Sequence, residues 1–288
     1  MRPIKALVAR HPIAAYFALT FTISWGGVLP IIAGPAGMTG VKAQDHPLFP
    51  LAIVGMLAGP SLAGLVLTGL IDGTSGLRDL RARLLNWRVG ARWYGIALLA
   101  APLLAAGVAL SLTVLSPEFL PAIVVADDKA SVLLLALVVA PAAGFFEELG
   151  WTGFAIPRLR KHHSSLATGL IVGVIWSAWH VLVVAWGIGD RAGSIPIATF
   201  MIVDGLAVLP AFRVLMVWVY DRTGSLFVGI LMHASLTATT LILWPQTVGL
   251  PLLAYCVSLA AALWIVVATV SVTSDHRRSR QPRERRAA

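Results

Sequence analysis

The chain has 288 residues, of which 58% are hydrophobic and only 12% are charged. Soluble globular domains carry about 25% charged residues, so this composition indicates a polytopic membrane protein. The single cysteine, Cys256, excludes an intramolecular disulfide. A net charge of +9 would suit a nucleic-acid partner, but the placement of the basic residues argues against one.

Eight apolar runs follow one another along the chain, and each approaches the roughly 20 residues that a helix needs to cross a bilayer. In chain order they cover residues 12–32, 48–71, 93–115, 130–150, 166–188, 194–220, 225–244 and 250–272. None alternates with the period of a strand, so a β-barrel is excluded. We therefore expect an all-α fold, a polytopic transmembrane bundle of about eight helices, as a single domain over residues 1–288.

The basic residues fall in alternate connections between these runs. If the N-terminus is cytoplasmic, 19 of the 22 Lys and Arg residues lie inside, including Arg213, and the outer side has Lys42, Lys129 and Arg191. This positive-inside distribution predicts an integral membrane protein with both termini cytoplasmic, and a bacterial plasma membrane suits the short connections. The basic tail, 273–288, is then a cytoplasmic segment that contacts anionic membrane lipid, and we expect no nucleic-acid partner.

The fourth run carries two adjacent acids, Glu147 and Glu148, in an otherwise apolar stretch. An ionised carboxylate in hydrocarbon costs at least ~2.5 kcal/mol, so such residues are typical of functional sites. Of seven histidines, only His180 and His233 lie deep within apolar runs. We expect Glu147 and His233 in the inner half of the bilayer and His180 nearer the midplane, so that these three residues meet in an intramembrane cavity open to the cytoplasm. Each histidine taken alone could also be a packing residue that hydrogen-bonds across helices.

Consecutive residues on a helix are rotated by ~100°, so Glu147 and Glu148 cannot face one point. We expect Glu147 to face the cavity and Glu148 to face a second partner, with Thr152 one turn further along. Thr237 lies one turn after His233. Asp204 is a further intramembrane acid that either borders the cavity or pairs with a neighbouring helix.

Two tryptophans, Trp151 and Trp176, lie beside the polar cluster in the sequence. They could line a substrate groove, although packing is the simpler interpretation.

The stretches EELGWTGFAIPRL, WSAWH and WVYDRTGSLFVGILMHASLTA together resemble the CPBP intramembrane endopeptidases. This family, also called Abi, contains CAAX prenyl proteases and bacteriocin-processing or immunity proteins. Its pattern is Glu-Glu-x-x-x-Arg, Phe-x-x-x-His and His-x-x-x-Asn, which Glu147 with Glu148, His180 and His233 match in order. The resemblance covers a catalytic core at about residues 130–245.

Three positions depart from the family pattern: Thr152 replaces the arginine, Trp176 the phenylalanine and Thr237 the asparagine. Without the arginine, we expect Glu148 to lose its ion pair and to be protonated more readily. The hydroxyl of Thr237 can still donate a hydrogen bond.

The resemblance and the residue chemistry together imply an intramembrane endopeptidase that acts on a membrane-associated peptide or lipidated protein, of CAAX type or of bacteriocin or leader type. Glu147 would be the general base on a water, His180 would position that water or share its proton, and His233, helped by Thr237, would donate to the oxyanion. This mechanism needs no cofactor.

Two alternatives stay open. Glu147, His180 and His233 are a plausible ligand set for zinc, although the His-Glu-x-x-His string of zinc proteases is absent. The departures at Thr152 and Thr237 would also suit a non-catalytic membrane immunity or scaffold protein.

Overall fold

The computed structural model describes residues 2–33 and 45–284. Within these residues eight helices are long and apolar enough to cross a membrane, which confirms the predicted all-α transmembrane bundle. We number them as spans in chain order: Pro12–Ile32, Phe49–Leu84, Ala91–Thr113, Lys129–Leu159, Ser165–Leu182, Ile197–Thr223, Leu226–Leu243 and Leu250–Val272. Lys42 and the end of the basic tail, 285–288, lie outside the described residues.

The second span is longer than the predicted run, which stopped at residue 71. The helix continues to Leu84, across a kink where Gly73 has a φ of 66°. An apolar run ends where the chain leaves the hydrocarbon, but the backbone hydrogen bonds of the helix can continue into water. Hydropathy therefore underestimates the length of such a helix.

The helices of the fifth and eighth spans also continue beyond the apolar windows. The fifth runs over Ser165–Ile188 and the eighth over Leu250–Glu284. Short helical segments complete the chain at Arg2–Arg10, Pro117–Phe119, Ala122–Val125 and Gly189–Ala192.

Close helix crossings at glycine bring the polar residues together. A Cβ on Gly144 of the fourth span would lie 2.6 Å from the backbone oxygen of Ile230 in the seventh span, which is closer than real atoms approach. Gly169 and Gly173 of the fifth span face the backbone of the sixth span, and a Cβ on Gly173 would lie 2.5 Å from Pro210 Cα. Small residues one turn apart let membrane helices approach closely, so these glycines determine which side chains meet.

The connections gather at two ends of the bundle. At one end, which we call the arginine-rich end, Asn86 donates to the backbone oxygen of Thr223 at 3.2 Å, and Arg160 pairs with Asp221 at 2.9 Å. At the opposite end, Arg191 donates to the backbone oxygen of Pro245 at 2.5 Å. Successive spans therefore run in opposite directions, and their connections alternate between the two ends of the bundle.

Candidate active site

Glu147 and Glu148 lie in the α-helical turn of the fourth span that comes just before the helix widens into a π-turn over Trp151–Ala155. Such single π-turns inside α-helices are frequent at functional sites. Glu147 is 3% exposed and Glu148 is fully buried. Both acids therefore depend on protein partners rather than on bulk water.

Glu148 is held by three side chains from three spans. Arg213 Nη1 donates to its two carboxylate oxygens at 2.7 and 2.9 Å. His233 Nδ1 lies 2.6 Å from Oε1, and the Thr152 hydroxyl donates to Oε2. The expectation that Glu148 lacks an ion pair is therefore wrong, because an arginine on the sixth span supplies the guanidinium that position 152 lacks.

Arg213 itself was wrongly predicted to lie on the cytoplasmic side with the other basic residues. It is fully buried within the sixth span, and its guanidinium carbon lies 4.2 Å from the centre of the Trp176 ring. Arg213 falls inside the apolar run 194–220, so its place in the sequence already conflicts with a cytoplasmic connection. The signal that was available is a lone arginine followed by the apolar stretch VLMVWV.

Glu147 is oriented by Trp176. The indole Nε1 of Trp176 donates to Glu147 Oε2 at 2.7 Å, while Oε1 lies 3.8 Å from Nε2 of His233. A phenylalanine, the family residue at position 176, has no donor to offer here. Glu147 and Glu148 thus face different partners, as the helical geometry predicts.

In both histidines, the Nδ1 atom faces a hydrogen-bond acceptor. His180 Nδ1 lies 2.9 Å from the backbone oxygen of Trp176, and His233 Nδ1 lies against the Glu148 carboxylate. Both partners are acceptors, so in each ring we assign a proton to Nδ1, which leaves Nε2 for other contacts.

A cavity of about 450 Å³ joins these groups. Its lining contains Glu147, Trp176, His180, His233, Thr237 and Asp204. The structure therefore brings the three predicted catalytic residues and Thr237 to one space. From there the lining continues to Arg191 and Gln246, in the connections at the opposite end, rather than to the arginine-rich end.

The remaining predicted residues divide between cavity and core. Asp204 begins a π-turn in the sixth span, Asp204–Val208, and borders a second cavity of about 210 Å³ that His180 also lines. Trp151 is fully buried, and its ring meets Tyr16 and Trp179 edge-on, so it belongs to the packed core rather than to the cavity wall.

The zinc alternative needs three or four ligating side chains around one point. Among the side chains that the structure describes, no group of three His, Cys, Asp or Glu is placed so as to hold one ion.

Parts of the chain are similar to known proteins. Residues 129–239 match the family model described as type II CAAX prenyl endopeptidase Rce1-like, which confirms the resemblance found in the sequence. A 53-residue stretch is 40% identical to CAAX prenyl protease 2 of Methanococcus maripaludis. That stretch is 18% of this chain and 18% of the methanococcal protein.

Proposed function

We propose that this chain is an intramembrane endopeptidase that uses Glu147 to activate water for attack on a peptide carbonyl. The observation that carries the proposal is the convergence of Glu147, His180 and His233 on one cavity within a bundle of membrane-spanning helices. A match to a family of endopeptidases over residues 129–239 supports the same reaction class.

Glu147 is the proposed general base. Trp176 occupies Oε2, so Oε1 is the atom free to accept a proton from water. Attack of the resulting hydroxide on the carbonyl carbon forms the tetrahedral intermediate, and the proton on Glu147 then passes to the leaving amine. Proton transfer by a positioned side chain contributes about 10²–10⁴-fold to a rate.

The histidines have separate proposed roles. Nε2 of His180 is an acceptor that orients the attacking water. Nε2 of His233 becomes a donor to the oxyanion when the ring is protonated, and the Glu148 carboxylate at Nδ1 compensates that charge. Removal of one oxyanion donor typically costs about 3–4 kcal/mol of transition-state stabilisation.

Thr237, which lines the cavity one turn from His233, can add a hydroxyl donor to the oxyanion.

The ion pair between Arg213 and Glu148 also weakens the case for a non-catalytic scaffold. That alternative depended on the departures at Thr152 and Thr237, and Arg213 supplies the contact with Glu148 that Thr152 cannot make. The proposed substrate is a membrane-associated peptide, either a CAAX-type C-terminal segment or a leader-type segment.

The test is cleavage by purified protein in lipid nanodiscs. Prenylated CAAX peptides and amphipathic leader peptides are incubated with the wild type and with Glu147→Gln, and products are identified by mass spectrometry. We expect one peptide class to be cut by the wild type and the rate to fall at least 10²-fold in the variant.

Asp127→Asn, on an exposed acid outside the cavity lining, is the matched control because it makes the same acid-to-amide change away from the cavity. Cleavage that continues unchanged in Glu147→Gln contradicts the proposal, as does the absence of any Glu147-dependent product.

A further inference from the structure

The cavity extends in one direction from the catalytic residues. Along the seventh span its lining proceeds from His233 through Thr237 and Thr240 to Trp244, and along the fifth span from Trp176 and His180 to Val184. Each step leads away from the arginine-rich end. The lining then reaches Arg191 and the exposed side chain of Gln246, so the cavity meets the surface at the opposite end.

The other side of the catalytic residues is filled. Thr152, Phe154 and Leu226 are buried between Glu148 and the arginine-rich end, with exposed fractions of 1%, 0% and 0%. Arg83 closes this region by donating to the backbone oxygen of Gly153 and to the Tyr220 hydroxyl, each at 3.0 Å. A peptide therefore has no open route to Glu147 through these residues.

The distribution of Lys and Arg between the two ends of the bundle indicates which end faces the cytoplasm. The described connections at the arginine-rich end, together with the span ends that border them, hold Arg78, Arg81, Arg83, Arg88, Arg92, Arg158, Arg160, Lys161 and Arg222. At the opposite end, the described connections and the span ends that border them hold the basic residues Lys129 and Arg191. An excess of Lys and Arg in short connections marks the cytoplasmic side.

We propose that the catalytic cavity opens to the non-cytoplasmic face of the membrane, so that the substrate is an exported or outer-leaflet peptide rather than a lipidated protein in the cytoplasm. The site lies nearer to the cytoplasmic connections, but its entrance is on the other side. The substrate half of this inference rests on the proposed endopeptidase function, whereas the direction of the opening does not.

The direction can be measured without any activity, because Cys256 is the only cysteine of the chain. Cys256→Ala gives a cysteine-free background into which single cysteines are placed at Thr240, inside the cavity, and at Gln246, at its mouth. The probe is a charged, membrane-impermeant methanethiosulfonate, applied to spheroplasts and to inside-out vesicles of the same expressing cells. His163→Cys, on an exposed residue of the arginine-rich end, is the matched control.

We expect Thr240→Cys and Gln246→Cys to react at least tenfold faster in spheroplasts, and His163→Cys to react at least tenfold faster in inside-out vesicles. Faster reaction of Thr240→Cys in inside-out vesicles overturns the proposal. Protection of Thr240→Cys in both preparations also overturns it, since an open cavity admits the reagent. Because labelling needs no turnover, an inactive protein with the expected labelling would fail the endopeptidase proposal alone.

Discussion

Arg213 of the sixth span donates from Nη1 to both carboxylate oxygens of Glu148 in the fourth span, and both side chains have no solvent exposure. The chain thus holds the second acid of its Glu-Glu pair with an arginine 65 residues further along, instead of with one on the same helix. Since Glu148 also contacts His233 Nδ1, this ion pair helps to orient the His233 ring.

Removal of this arginine should destabilise the fold. Arg213→Met leaves the Glu148 carboxylate buried without its cation, and loss of one partner of a buried pair costs about 3–5 kcal/mol. We expect a clearly lower unfolding temperature in detergent, while Arg88→Met, on an exposed arginine, leaves it nearly unchanged.

Returning the arginine to the position of the family motif should recover part of this loss. In the double variant Thr152→Arg with Arg213→Met, the guanidinium again reaches Glu148 from one helical turn away, in space that Arg213 has vacated. Equal unfolding temperatures of Arg213→Met and the wild type would contradict the structural role of the pair.

Substitutions of the two adjacent acids should differ in their effects on thermal stability and activity. Glu148→Gln weakens the contacts with Arg213 and His233, so we expect lower thermal stability together with lower activity. Glu147→Gln retains an oxygen for the Trp176 donor, so it should lose activity with little change in stability. Thermal unfolding and peptide cleavage measured on the same preparations check this contrast, and equal stability losses would refute it.

The indole N–H of Trp176 should contribute to the rate of peptide cleavage through its hydrogen bond to Glu147. Trp176→Phe keeps an aromatic ring beside Arg213 but removes the 2.7 Å hydrogen bond to Glu147. A hydrogen bond to a charged group is worth about 1.5–3 kcal/mol, so we expect a fall of roughly 10- to 100-fold in kcat.

The control for this variant is Trp264→Phe, which also removes an indole hydrogen bond, to the backbone oxygen of Ala207 at 3.0 Å, but outside the lining of the catalytic cavity. A loss of activity that is as large in Trp264→Phe would mean that Trp176 acts through general packing.

Chelation separates the metal-free mechanism from its zinc alternative. Because no three of the described side chains are placed to hold one metal ion, we expect 1,10-phenanthroline to leave the cleavage rate unchanged. The measurement is the rate before and after treatment, with an equimolar non-chelating isomer as control. Inhibition that added zinc reverses would favour the metalloprotease instead.

The crossing of the fourth and seventh spans should tolerate no added methyl group. In Gly144→Ala the new Cβ would meet the backbone oxygen of Ile230 at 2.6 Å, and overpacking typically costs about 1–3 kcal/mol. Gly107→Ala, where no atom lies within 4 Å, is the matched control. We expect only Gly144→Ala to lower the unfolding temperature, and equal effects would exclude the crossing as the cause.

The sequence was sufficient for the spans and for the choice of catalytic candidates. Apolar runs of membrane length are local features, so all eight spans could be predicted, with errors only where a helix continues into water, as at Leu84. Glu147, His180 and His233 stand out because ionisable residues are expensive in hydrocarbon, and the structure brings them to one cavity.

The partners of these residues were decided by the tertiary structure alone. Arg213 reaches Glu148, and Trp176 reaches Glu147, because glycines at the helix crossings let particular backbones approach. Composition and spacing along one helix carry no information on which face of another helix will lie opposite. The direction of the cavity has the same origin, since it depends on which side of Glu147 is filled by packed side chains and which is left open.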